Sequence, residues 1–466
     1  MHHITVRPPP RQRPQPASNR RHRRLTSLGL ALFLFTSHAD DWPRFLGPRG
    51  DGTSPETNLI SRFPPEGPQV LWHKAVGTGY SAPSVRGTRL VLHHRQGDEE
   101  MVECLDPASG ASRWRHAYPS RFVDPYGYNN GPRSTPFLTA NRCFTFGAEG
   151  RLVCLDLESG RLLWERETAK EWEIPEAFFG VGSSPLLAGD RLIVMVGGQP
   201  NAGVVALDPA TGHTLWESVG EQSWTGQPML GWPGSRTVSW KSWDKQASYA
   251  SPVVAEVHGR ATAFCLTRQG LVALEPATGE VLCSRWFRAQ AEESVNAASP
   301  VVVDDLVLIS AAYYRVGSVL LRVRPDRRGF DEVWRSTVIE AHWSTPIVHH
   351  GHLYAFSGRN EPDARFRCVE LRTGELQWER DESWRSRSAK QPAVYGRGAG
   401  ILADGKLIVL GEGGLLGLFR PDPRGPDELA RWQAPMLEYP CWTSPVLAAG
   451  RLFLRSERHL VCVTMR

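Results

Sequence analysis

The chain has 466 residues, among them 44 Gly, 36 Pro and 17 Trp, and a formal charge of +5. That length exceeds a usual single domain and points to several domains or a repeat array, while a composition rich in turn formers and large aromatics disfavours long helices and suits many short strands. The first 39 residues hold seven Arg and no acid, so the remainder carries −2, which removes the concentrated positive face on which nucleic-acid binding normally rests.

In chain order, an Arg- and Pro-rich stretch runs into Leu25-Thr-Ser-Leu-Gly-Leu-Ala-Leu-Phe-Leu-Phe35, which is apolar but too short to span a membrane. Ser37-His38-Ala39 places small residues where a signal peptidase needs them. Residues 1–39 are therefore read as a signal peptide, with a periplasmic or secreted mature protein beginning at Asp40. The first Cys is Cys104, so no lipid anchor is expected at the mature N-terminus and no other membrane anchor is foreseen. Residues 40–68 read as an N-terminal extended arm.

From residue 69 a repeat dominates. Each unit opens with a small residue followed by Pro, as in Ser81-Ala-Pro83, Ser134-Thr-Pro136, Ser183-Ser-Pro185, Ala250-Ser-Pro252, Ala298-Ser-Pro300, Ser344-Thr-Pro346 and Thr443-Ser-Pro445. It closes with Leu-Asp-x-x-(Ser/Thr)-Gly-x-x-x-Trp, best kept in Cys154 to Trp164 and Ala206 to Trp216 and more loosely in Cys104 to Trp114, Ala273 to Trp286 and Val369 to Trp378. The long interval between Pro346 and Pro445 holds a further unit without the Pro, marked by Gly398-Ala-Gly400, Lys406-Leu-Ile-Val-Leu410 and Trp432. That makes eight units of four strands each.

The Pro at a strand head costs no ladder donor. In the closing turn the Asp bonds the backbone ahead of it and the Gly accepts positive φ. The last unit stops after a third strand, His459 to Met465, whereas Gln69 to Val76 has the look of a Trp strand with no unit before it. The reading is an all-β, eight-bladed β-propeller of four-stranded blades over residues 69–466, whose last blade is closed by the N-terminal strand, an arrangement that removes open sheet edges.

Cys104, Cys154, Cys368 and Cys462 occupy a repeat position filled elsewhere by Ala206 and Ala273. A slot shared by Cys and Ala is a tight core position where Cys serves as a small hydrophobe, although an exported compartment would permit a bridge such as Cys143 with Cys154.

These units resemble the tryptophan-docking repeats of pyrroloquinoline quinone (PQQ)-type propellers in the quinoprotein alcohol dehydrogenase-like superfamily. Asp41-Trp-Pro-Arg-Phe-Leu-Gly-Pro48, Tyr249-Ala-Ser-Pro252, Asn296-Ala-Ala-Ser-Pro300 and Cys441-Trp-Thr-Ser-Pro445 look like an exported subgroup of it. The resemblance implies a fold rather than a chemistry, because such rings serve as dehydrogenases, assembly scaffolds and binding proteins. A dehydrogenase of this kind needs PQQ, Ca²⁺, carboxylate and amide ligands, an Asp base and often a stacking ring made by vicinal Cys. No adjacent Cys pair exists here, and no catalytic residue can be placed on a matching motif, so neither cofactor is expected.

In such propellers the residues just ahead of the Pro-led strands lie at the inner mouth. Blade by blade these are Tyr80, Asn130 with Arg133, Phe179, Tyr249, Asn296, His342 with Trp343, Arg397, and Trp442. Aromatic faces beside Asn, His and Arg suit a planar, anionic or carbohydrate-like ligand, or else plug the channel.

The segment from Glu217 to Ser248 carries Trp224, Trp232, Trp240 and Trp243, and a long loop of this kind can be a lid, a partner patch or a satellite core. His93-His94 and His349-His350-Gly-His352 lack metal spacing, so no metal site is expected. Gly411-Glu-Gly-Gly414 reads as a plain turn. The expectation is a monomeric, non-catalytic propeller that binds a small molecule or a protein through its funnel and Trp-rich loop, with a quinone-dependent oxidoreductase and a scaffold for outer-membrane protein assembly as alternatives.

Overall fold

The computed structural model describes residues 41–466 apart from 175–178, 227–248, 290–293 and 385–393. The signal peptide and its cleavage site therefore lie outside the described residues, as do Trp232, Trp240 and Trp243. Eight separate sheets follow one another along the chain, antiparallel but for one added strand, and all but the seventh begin with a Pro-led strand. We number them blades 1 to 8 by those strands: Ser84–Arg86, Phe137–Leu138, Leu186–Ala188, Val253–Val257, Val301–Val303, Ile347–His349, Ala399–Ala403 and Val446–Ala448. The unit without a Pro is blade 7.

The two central strands of a blade are mostly apolar and buried, as in Arg191–Val194 and Val204–Leu207, because neighbouring blades cover both of their faces. The outer strands alternate, as in Leu376–Asp381, since one face meets the next blade and the other meets water.

Two devices join the blades. Near the axis, the middle residue of the opening triplet offers a hydroxyl to the preceding blade. The backbone N–H of Thr135 donates to Ser184 Oγ (2.9 Å), that of Ser184 to Ser251 Oγ (2.9 Å), that of Ser251 to Ser299 Oγ (2.9 Å), and that of Ser299 to Thr345 Oγ1 (3.1 Å). These residues were legible only as small; their hydroxyls form a belt that satisfies buried donors, each of which would otherwise cost about 1–3 kcal/mol.

At the rim, the Trp indole N–H donates to a carbonyl in the next blade's closing turn. Examples are Trp72 to Pro107 O (3.0 Å), Trp114 to Leu157 O (3.0 Å), Trp164 to Pro209 O (3.1 Å) and Trp216 to Pro276 O (3.1 Å). The ring lies flat on the Gly of that turn: a Cβ on Gly212 would sit 2.8 Å from the Trp164 ring. Directly across the sheet from these Trp residues lies the Cys or Ala of the repeat, Cys154 opposite Trp164 and Ala206 opposite Trp216, whereas blades 5 and 7 place Leu320 opposite Trp334 and Leu416 opposite Trp432.

All eight Cys are free. The bridge allowed for between Cys143 and Cys154 does not form, because Cys143 pairs across the sheet with Leu155 and Cys154 with Phe144.

Blade 4 departs from the pattern. Cys283, not Trp286, stands opposite Ala273, and Trp286 instead stacks on Trp224 at 4.6 Å and donates to Thr225 O (3.0 Å). Trp224 is thus a buried residue packed on Trp286 of the blade's outer strand, as in the satellite-core alternative that the sequence left open beside a lid and a partner patch.

The ring closes as expected. Val70–Ala75 pairs antiparallel with His459–Thr464, Trp72 opposite Cys462 and Lys74 opposite Leu460. The arm does more than its sequence suggested. Thr53–Ser54 adds a fifth, parallel strand to blade 7 beside Leu402 and Ala403. Gly67, held in a turn by its N–H to Pro64 O (2.8 Å), is the seat for the blade 7 Trp, with its Cβ position 2.1 Å from Trp432 Nε1. The arm therefore supplies the docking turn that blade 8 lacks, just ahead of the strand Val70–Ala75 that completes the blade. Buried Trp42 bridges to Val85 of blade 1 at the other end of this segment.

Candidate functional site

The junctions ahead of the Pro-led strands converge on one axial cavity of about 200 Å³. Tyr80, Arg133, Phe179 and Tyr249 line it from one half of the ring, and His342, Trp343, Arg397 and Trp442 from the other. The belt residues Thr135, Ser184 and Ser251 form part of its wall, and Phe45 of the arm enters it as well.

Two sequence candidates do not join them. Asn296 is buried and its amide donates to Thr267 O (2.8 Å) and Phe287 O (3.1 Å), while the exposed Asn130 accepts the Asp124 N–H (2.8 Å). Neither residue lines the cavity.

The aromatic rings form a continuous series. Tyr249 packs on Phe179 (5.5 Å), Phe179 on Tyr128 (6.0 Å), Tyr128 on Trp442 (5.9 Å) and Trp442 on Tyr80 (5.1 Å). Tyr128 was not foreseen as a lining residue. It is 48% exposed at the mouth, on the 120–132 connection that Asp124 holds in shape by accepting the N–H of Tyr126 (2.8 Å). Tyr313 was also missed. It lies in the turn Tyr313–Arg315 of blade 5, where Tyr314 and Arg315 take left-handed φ of 50° and 59°. Nothing in the repeat pattern distinguishes that turn; the vicinal tyrosines were the available signal.

Both cavity arginines are matched by carboxylates. Arg133 donates to the fully buried Asp124 (2.6 Å) and lies over the rings of Tyr80 (5.6 Å) and Phe179 (5.9 Å). Arg397 binds Glu412 Oε2 through Nε (3.2 Å) and Nη2 (2.9 Å), reaches Glu361 Oε1 (3.0 Å), and lies over Trp442 (5.2 Å). Glu412 also accepts the Trp442 indole N–H (2.9 Å), and Glu361 accepts the Tyr439 hydroxyl (2.8 Å). The turn Gly411-Glu-Gly-Gly414, passed over in the sequence, thus delivers a second fully buried carboxylate to the site.

Burial, together with Arg397 and Arg359, holds the His342 imidazole down to about 3. His342 is therefore neutral at ordinary pH, and because its Nδ1 accepts from Arg397 (3.3 Å), its proton is on Nε2, which faces Tyr313 Oη (3.4 Å). Burial pushes the Tyr313 phenol up to about 12 and those of Tyr80 and Tyr249 higher still, so all three stay protonated.

His93 and His94 are packed inside blade 1, His93 against Tyr118 Oη (3.0 Å) and Glu100 (3.2 Å), and His94 accepting the Gly77 N–H (2.9 Å). Among the described residues no cluster of three or more His, Cys, Asp or Glu is arranged to hold a metal ion.

The residues present do not fit PQQ and Ca²⁺. Among the described residues the cavity carboxylates Asp124, Glu361 and Glu412 are each held by an arginine, which leaves none free to ligate a cation, and the sequence has no vicinal Cys pair to form a stacking ring.

Ring and cavity together define a PQQ-like β-propeller with an aromatic, charge-matched axial pocket. The chain belongs to the family described as outer membrane protein assembly factor BamB, whose model matches residues 56–226 and 98–380. A protein of Shewanella oneidensis with that same description is 28% identical over 158 residues, a match that spans 32% of this chain and 36% of that protein.

Among solved structures, BamB from Moraxella catarrhalis aligns with a TM-score of 0.56 at 16% identity, covering 85% of this chain and 99% of its own. Quinohemoprotein alcohol dehydrogenase from Comamonas testosteroni aligns at 0.62 and 11% identity, covering 91% and 80%. A europium-containing methanol dehydrogenase aligns at 0.53 and 13% identity, covering 92% and 90%. At these identities the likeness concerns the fold.

Proposed function

We propose that the protein is a non-catalytic, exported binding propeller that takes up a ligand, free or displayed on a larger partner, in its aromatic axial cavity. The observation that carries this reading is the convergence of side chains from all the blade junctions on one pocket whose charged groups are already paired. A pocket with matched charges and rigid aromatic walls is organised for recognition. Exposed Tyr126, Tyr128 and Tyr314 suit contact with the surface of whatever carries the ligand.

The test is a melting screen of the purified protein against small-molecule and glycan libraries, since a compound that binds the folded state must raise its stability. A compound that raises Tm in the wild type and not in Tyr128→Ala supports the reading, and silence across the screen counts against it. The oxidoreductase alternative predicts dye reduction with alcohols or sugars once quinone and Ca²⁺ are supplied. Family membership favours a second reading, scaffolding in outer-membrane protein assembly, for which co-purification with outer-membrane proteins is the corresponding check.

A further inference from the structure

The charges of the cavity narrow its ligand. Among the described residues Arg133 is matched by Asp124 and Arg397 by Glu412 and Glu361, and with Arg359 over Tyr313 three guanidinium groups stand beside three carboxylates, so no net charge draws an anion in. A cation fares no better. The protein's own guanidinium groups already lie over Tyr80 and Phe179, over Trp442, and, through Arg359, over Tyr313 at 4.6 Å, so a second positive charge would meet like charge on those faces.

A wholly apolar ligand leaves polar groups unserved. Trp343 lines the cavity, and among the described residues its buried indole N–H has no acceptor. Neutral His342 presents a fixed Nε2–H beside the Tyr313 hydroxyl. What remains is an uncharged ring with apolar faces and hydroxyl edges: the faces stack on aromatic rings while the hydroxyls both donate and accept.

We infer that the cavity recognises a neutral sugar ring, presented at the end of a glycan and stacked against Tyr128 and Trp442. This rests on the cavity being the binding site, as proposed above. Tyr128 is suited to the role because it stands at the mouth, half exposed, with Phe179 on one side and Trp442 on the other.

The experiment is calorimetric titration of the purified full chain with cellobiose, maltose and N,N′-diacetylchitobiose as neutral sugars. Citrate and tetramethylammonium serve as charged probes, and an uncharged Tyr-containing tripeptide as a peptide probe. Tyr128→Ala is titrated in parallel, with circular dichroism melting to confirm that it folds. The expected result is saturable binding of at least one neutral sugar, weakened about tenfold in Tyr128→Ala at unchanged Tm.

Sugar binding that is indifferent to Tyr128 places it elsewhere and overturns the inference. Binding of a charged or peptide probe with the same Tyr128 dependence, and of no sugar, also overturns it but leaves the cavity reading standing. Failure of every probe overturns the sugar assignment, and the cavity reading falls with it when the melting screen is silent too.

Discussion

Trp164 illustrates how much one side chain is asked to do. Its ring covers Gly212 of the next blade and its N–H serves Pro209 O, so burial and hydrogen bonding are separable by substitution. Trp164→Phe should cost about 1 kcal/mol, the worth of the hydrogen bond, and Trp164→Ala about 3 kcal/mol because the packing goes with it; denaturant unfolding of both variants checks the ordering. His342 allows a second test. In the unfolded chain it protonates near 6.5, in the folded chain near 3. Between those values the unfolded state binds a proton that the native state refuses, so stability falls as pH drops from about 6.5 toward 3 and is untouched above 6.5. His342→Gln should flatten the stability profile between about pH 6 and 4, and an unchanged slope would assign the acid sensitivity to other groups.

At the level of strands and turns, what the sequence made readable was whatever the repeat enforces locally. The closing turn with its Asp and Gly, the Trp, and the Pro-led strand all follow from short-range chemistry, and even blade 7 could be found without its Pro from Lys406 to Leu410 and Trp432. The hydroxyl belt was hidden because a Ser that accepts from another blade looks the same as a Ser that is merely small. Its importance can be measured: Ser251→Ala strips the acceptor from the buried Ser184 N–H and should cost about 1–3 kcal/mol in thermal or chemical unfolding. Thr53–Ser54 joining blade 7, and Gly67 seating Trp432, were illegible for a related reason. Their partners lie nearly a whole chain length away, and no local pattern announces them. The same holds in the cavity: residues at equivalent positions of the repeat could be listed in advance, whereas Glu412, Glu361, Tyr128 and Tyr313 come from connections that differ in every blade.

On the scale of the ring, stability and site have a common origin. Each junction contributes a wall to the cavity because the blades are locked at both axis and rim, and the arm brings Phe45 to it by crossing from blade 1 toward blade 7. A chain beginning at Gly77 lacks the strand Val70–Ala75 and the Gly67 turn and leaves one edge of His459–Thr464 bare. Such a chain should aggregate or lose cooperative melting, and a synthetic peptide of residues 64–76 added in trans should restore solubility by strand addition. Wild-type melting of the truncated chain without the peptide would show that the borrowed strand is dispensable. The seam also has a meaning for biosynthesis. A ribosome delivers Trp72 long before Cys462, so the first strand must wait, unsatisfied, until all eight blades have been made. A product that stops short of residue 459 never finds its mate, and the finished circle is in effect a proof that every blade was translated.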